Sequence, residues 1–103
     1  MKLNIILLED ELTAGKALKD LLENKGFNCI HYSNIKELLN HPHPQADLYL
    51  LDYHLEGKPE GLAAATLLRD SGVLCPIIIL TSETDETILV NCFKQANVDD
   101  YLN

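Results

Sequence analysis

The sequence predicts an α/β domain on a doubly wound, five-stranded parallel sheet with helices on both faces, and three features carry that expectation. First, the runs Ile5-Ile6-Leu7-Leu8, Leu48-Tyr49-Leu50-Leu51 and Ile77-Ile78-Ile79-Leu80 lack the polar alternation of a one-sided sheet. Strands this apolar are covered by helices on both faces. Second, segments of helix length separate the runs, and such crossovers impose parallel pairing of right-handed sense, giving a three-layer sandwich. Third, each run ends in polar groups: Glu9-Asp10, Asp52 and Thr81-Ser82. Ligands collect at the carboxyl ends of parallel strands, so these groups are expected to share one site.

The elements follow in order. After the first strand, Thr13 to Lys25 places Leu12, Leu18, Leu21 and Leu22 at helical spacing, with Gly26 as its C-terminal stop. Phe27 to Tyr32 alternates as a second strand. Ser33 can cap a short helix carrying Ile35, Leu38 and Leu39, which His41-Pro42-His43-Pro44 must break. The third strand runs from about Asp47 to Leu51, and Gly57-Lys58-Pro59-Glu60-Gly61 is turn chemistry. Leu62 to Arg69 is a helix of Ala and Leu closed by Ser71-Gly72, and Pro76 opens the fourth strand. Thr84 to Gln95 carries Ile88, Leu89, Cys92 and Phe93 on one face, and Val98 to Leu102 has the residues of a short fifth strand. No helix follows it before Asn103, which would leave one face near the last strands without cover. A single domain over 1–103, incomplete at its C-terminus, is therefore expected.

Composition narrows the function. A chain of 103 residues with 47% hydrophobic content can build one core without disulfide or metal staples. The balance of 8 Lys and Arg against 16 Asp and Glu gives a formal charge of −8, which opposes nucleic acid and anionic membranes. Cys29, Cys75 and Cys92 are odd in number and lie among apolar residues, as reduced core thiols do, and fit a cytoplasmic address. No apolar stretch approaches the roughly 20 residues of a membrane span, and no signal-peptide pattern follows Met1. His41 and His43 lack a clustered third ligand and read as solvated loop residues.

The strand-end carboxylates define the chemistry. Glu9, Asp10 and Asp52 would repel one another, and nothing in the sequence places a basic partner beside them. A hard divalent cation relieves this. Mg²⁺ keeps several waters and takes one or two carboxylates directly, which suits Asp10 and Asp52 with Glu9 reaching through water. An Asp carboxylate can also act as a nucleophile and form an acyl phosphate, with the Thr81 hydroxyl placed to hydrogen-bond a phosphoryl oxygen. Against this stands a bland reading: an acidic run such as Glu9-Asp10-Glu11 is also a dipole-favourable helix start.

At this point four motifs together resemble the receiver domains of two-component response regulators. They are Glu9-Asp10-Glu11, Leu51-Asp52-Tyr53-His54-Leu55, Leu80-Thr81-Ser82 and Asp99-Asp100-Tyr101-Leu102, each after or within a strand and in the family's order. The resemblance implies a flavodoxin-like strand order 2-1-3-4-5. It implies that Asp52 accepts a phosphoryl group from a sensor histidine kinase or histidine phosphotransfer protein. Glu9, Asp10, Asp52 and the His54 backbone carbonyl would hold Mg²⁺ or Mn²⁺. Thr81 would be the switch hydroxyl, Tyr101 the aromatic that follows it inward, and His54 and Glu83 the side chains tuning dephosphorylation. An output domain or downstream protein would read the switch, with room for a phosphorylation-dependent homodimer. The only catalysis implied is of the domain's own phosphorylation and dephosphorylation.

Departures and rivals complete the reading. The family's lysine would fall immediately after Asn103, Glu56 stands where many receivers carry proline, and the segment from Asp52 to Gly61 is one residue longer than the commonest form. A receiver-like interaction domain that takes no phosphate is one alternative. An aspartate-nucleophile phosphohydrolase is another, but that class needs an Asp two residues after the nucleophile, where this chain has His54.

Overall fold

The apolar runs become strands. The computed structural model, which describes residues 2–53, 60–80 and the backbone of 100–102, places β1 at Asn4–Leu8, β2 at Asn28–Tyr32, β3 at Leu48–Asp52, β4 at Ile77–Leu80 and β5 at Asp100–Leu102. Three helices connect them: α1 (Leu12–Asn24), α2 (Ile35–Asn40) and α3 (Gly61–Asp70). The expected helix from Thr84 to Gln95 lies outside the described residues, as does Cys92.

The five strands form one sheet, parallel throughout as the helix-length crossovers predict, in the order β2-β1-β3-β4-β5 that the receiver resemblance implies. Its register pairs Leu8 with both Tyr32 and Leu51, and Asp52 with Leu80. The carboxyl ends of the first, third and fourth strands therefore lie side by side.

Each strand sends alternate residues to opposite faces, so both sides of the sheet are core. Ile6, Leu8, Tyr49, Leu51, Ile77 and Ile79 pack with Leu38 of α2 and Ala64, Ala65 and Leu68 of α3. Ile5, Leu7, Cys29 and Leu50 face the other way, against Leu18 and Leu22 of α1. The helices thus lie on two sides of the sheet, giving the three expected layers. Burial pushes the Cys29 thiol pKa up, which disfavours the reactive thiolate and fits a core-packing role.

Local chemistry shifts several expected details. Asn34, not Ser33, caps α2, its side-chain oxygen accepting from the Glu37 N–H at 2.8 Å. The third strand runs one residue further than expected, through Asp52, and α3 begins at Gly61 rather than Leu62. In α1 the sheet-facing stripe runs through Gly15, Leu18 and Leu22; Leu12 and Leu21 point to solvent, 67% and 52% exposed. Gly15 extends the stripe with a residue that hydrophobicity does not flag. After α3, Arg69 Nη1 donates to the Val73 and Cys75 carbonyls at 3.1 and 2.8 Å, satisfying two loop acceptors on the way into β4.

His43 is not the solvated loop residue the sequence suggests. It is half-buried, and its Nε2 meets the Tyr32 hydroxyl at 2.6 Å, while the His41 ring stacks on Tyr32 with centroids 5.7 Å apart. Burial, with His41 beside it, lowers the His43 pKa from the ordinary value. The phenol and the imidazole nitrogen thus share one hydrogen bond. Tyr32→Phe keeps the ring contacts and removes this bond, so a loss of about 1 kcal/mol in urea unfolding is expected. An unchanged midpoint would show that the bond contributes nothing net.

Candidate functional site

The site is assembled from the ends of β1 and β3. At the end of β1 the chain leaves the sheet at Glu9, whose N–H donates to the Tyr32 carbonyl at 3.0 Å and so carries the β1–β2 pairing one step further. Glu11 is the N-cap of α1, its carboxylate accepting from the Thr13 and Ala14 N–H groups. The acidic run is thus in part the helix start of the bland reading: Glu11 takes the capping role, while Glu9 and Asp10 stand at the sheet edge.

Asp52 ends β3 beside Leu80. The next residue is held at both of its main-chain polar groups: the Tyr53 N–H donates to the Leu80 carbonyl at 2.8 Å, and the Tyr53 carbonyl accepts from the Gly61 N–H at 2.9 Å. Helix α3 thereby starts directly against the backbone that presents Asp52. An added Cβ on Gly61 would fall on the Asp52 carbonyl oxygen and 2.7 Å from Tyr53 Cα, so glycine is what permits this approach.

The result is a cluster in which Glu9, Asp10 and Asp52 each bring a carboxylate oxygen within 4.8 Å of the others, all three half-buried. Glu9 shows the electrostatic consequence. Its pKa is pushed from 4.5 to about 8, first by burial, then by a side-chain hydrogen bond with Asp52, then by the negative charges of Asp52 and Asp10. A protonated Glu9 donating to Asp52 is how the cluster relieves its repulsion without a cation.

The donor set fits a hard divalent cation: three carboxylates, no sulfur or nitrogen ligand, and a separation that small side-chain movements bring to the roughly 2.1 Å metal–oxygen distances of Mg²⁺. Among the described residues this is the one group of three or more Asp, Glu, His or Cys side chains close enough to share an ion. Two cavities of about 520 and 530 Å³ open elsewhere, around the 41–46 loop, and neither includes these carboxylates.

The remaining expected residues divide by position. His54, Thr81 and Glu83 lie outside the described residues, and Tyr101 is described only as backbone within β5. Leu80, the residue before Thr81, is paired with Asp52, so β4 leads the chain to the same edge. Two residues near this edge escaped the sequence reading. One is Gly61, read as turn chemistry. The other is His31, whose Nε2 donates to the Glu9 carbonyl at 2.7 Å.

Comparison with known proteins agrees with the family and the topology. A family model described as the response regulator receiver domain matches residues 5–103. The swarming motility regulation protein RssB of Serratia marcescens is 38% identical over 101 residues, covering 97% of this chain and 45% of that protein. The chain spans under half the length of the curated relatives it matches. A two-component response regulator from Clostridium difficile has the same fold, with a TM-score of 0.85 at 23% identity over 98% of this chain and 82% of the other. Response regulator TrrA of Thermotoga maritima, solved in complex with Mg²⁺ and BeF, gives a TM-score of 0.77 at 25% identity, covering 99% of this chain and 85% of that one.

Proposed function

We propose, from the premise that this chain belongs to the response regulator receiver domain family, that it is a phosphorylation-controlled switch with Asp52 as its phosphoacceptor. The observation that carries this is the meeting of Asp52 with Glu9 and Asp10 at the carboxyl edge of the sheet. In the proposed transfer an Asp52 carboxylate oxygen attacks the phosphorus of a phosphohistidine on a kinase or phosphotransfer protein. The new P–O bond forms as the P–N bond breaks, and the departing imidazole takes up a proton.

Asp10 and Asp52 would hold Mg²⁺ or Mn²⁺ directly, with Glu9 reaching through water and the His54 carbonyl as a further ligand. Such a cation neutralises the transferring group. The complex of TrrA with Mg²⁺ and BeF supports this reading of the acidic cluster. Thr81 is assigned the switch hydroxyl and Tyr101 the aromatic that follows it, with His54 and Glu83 tuning hydrolysis. Residues 1–103 form the receiver unit, acting in the cytoplasm on an output domain or downstream partner, with phosphorylation-dependent pairing of two copies as one mode of readout. Among the described residues no helix is long and apolar enough to cross a membrane.

The test is incubation with acetyl phosphate and Mg²⁺, followed by intact mass. A gain of one phosphoryl group is expected, absent in Asp52→Asn and absent in chelator. No gain in the unmodified chain would reject the switch and favour a docking module that takes no phosphate. Labelling that persists in chelator would contradict the metal assignment.

A further inference from the structure

We propose that His31 is a positioning residue that fixes the peptide joining Glu9 to Asp10, and through it the geometry of the acidic pair toward a divalent cation. The inference rests on the metal site proposed above and adds to it a residue outside the acidic cluster.

The argument begins with the peptide plane. The Glu9 carbonyl belongs to the same rigid unit as the Asp10 N–H, so a bond to that oxygen sets the backbone torsion leaving Glu9 and the one entering Asp10. His31 Nε2 donates to it at 2.7 Å from a half-buried position at the end of β2. The neighbouring residue holds the other end of Glu9, since the Tyr32 carbonyl accepts the Glu9 N–H at 3.0 Å. Two consecutive residues of one strand thus grip Glu9 by its donor and its acceptor. The loop from β1 to α1 is pinned to the sheet where its two acidic side chains depart.

Gly15 is the second, independent observation. Glycine inside a helix costs roughly 0.5–1 kcal/mol relative to alanine, so its presence in α1 needs a reason. The reason is spatial. Gly15 is buried beneath the His31 ring, and a Cβ there would land on the ring atoms, including the Nε2 that makes the bond. Helix α1 gives up a side chain at this point, and the imidazole occupies the space that a Cβ would take. The ring is then confined between helix and strand with its donor aimed at the Glu9 oxygen. Packing that locks a donor's orientation is the usual means by which a neighbouring residue steadies metal ligands.

The test compares His31→Phe, which keeps a ring over Gly15 and loses the donor, with His31→Gln, which keeps an amide donor of similar reach. Calorimetric titration with MgCl₂ should show His31→Phe weakened about tenfold, with His31→Gln within about threefold of the unmodified protein. In metal-free protein, amide exchange at Asp10 and Glu11 should accelerate in His31→Phe and not in His31→Gln, while exchange in β3 stays unchanged. Gly15→Ala provides a second perturbation, displacing the ring and giving the same loosening with His31 intact. Equal Mg²⁺ affinity and equal exchange in the three variants would overturn the proposal. If the unmodified protein binds no Mg²⁺, the metal site itself fails, and the metal-free exchange still decides whether His31 pins the loop. If His31→Phe does not fold, His31→Gln and Gly15→Ala carry the comparison: retained protection in the first with loosening in the second supports the proposal, and the reverse rejects it.

Discussion

Gly61→Ala is expected to destabilise the fold by about 3 kcal/mol, the upper range for overpacking a fixed site. In a domain of this size that corresponds to a fall in Tm of roughly 10–20 °C. The atoms a new methyl group would meet are the Asp52 carbonyl oxygen and Tyr53 Cα, both main chain, so no side-chain rotation can relieve the contact. Helix α3 must retreat, which stretches the Gly61 N–H bond to the Tyr53 carbonyl and disturbs the peptide that follows Asp52. The better helix propensity of alanine returns at most about 1 kcal/mol and cannot offset this. Thermal unfolding with an Ala63→Gly control, which alters the same helix at an exposed position, separates packing from propensity. A Gly61→Ala midpoint at or above that of the unmodified protein would refute the close approach.

Stability should also depend on pH and Mg²⁺ together. Glu9 titrates near 8 in the folded chain against 4.5 ordinarily, so the folded state keeps a proton that the unfolded state has released across that interval. Metal-free protein therefore has this contribution in full below pH 4.5 and loses it as pH rises through 8. The loss is on the order of 1 kcal/mol once solvent screening of a half-exposed group is allowed for. A divalent cation reverses the sign, because it prefers the ionised cluster. At pH 8, Mg²⁺ at about 100 times its Kd should add about 2.7 kcal/mol, and at pH 5, where protons compete, much less. Unfolding curves at both pH values, with and without MgCl₂, test this. A midpoint at pH 8 indifferent to Mg²⁺ would count against the site.

Much of this architecture is legible in the sequence because its signals are local. Four consecutive apolar residues without alternation mark a strand covered on both faces, and the polar residue after each run marks the sheet edge where Glu9, Asp10 and Asp52 meet. What escaped depends on distant partners. His31 looks like the polar member of an alternating strand, and only the fold brings it onto Gly15 and the Glu9 carbonyl. Gly61 carries turn chemistry in sequence, and its need to be small appears only when α3 docks on Tyr53. Ser33 and Asn34 are both good capping residues one position apart, and the backbone entering α2 selects the second. Leu12 and Leu21 satisfy a helical spacing yet miss the sheet, because the contact stripe is completed by Gly15, a residue without a side chain.

The fit of His31 over Gly15 has a consequence for how this sequence can drift. The volume missing from the helix is the volume filled by the strand, so the two positions exchange size rather than varying freely. Enlarging position 15 first drives a methyl group into an aromatic ring. Shrinking position 31 first opens a gap that a later side chain on the helix can occupy, recovering packing and helix propensity at once. The order of substitutions is therefore directional, and a descendant that has lost the imidazole is free to discard the glycine, whereas one that keeps it is not.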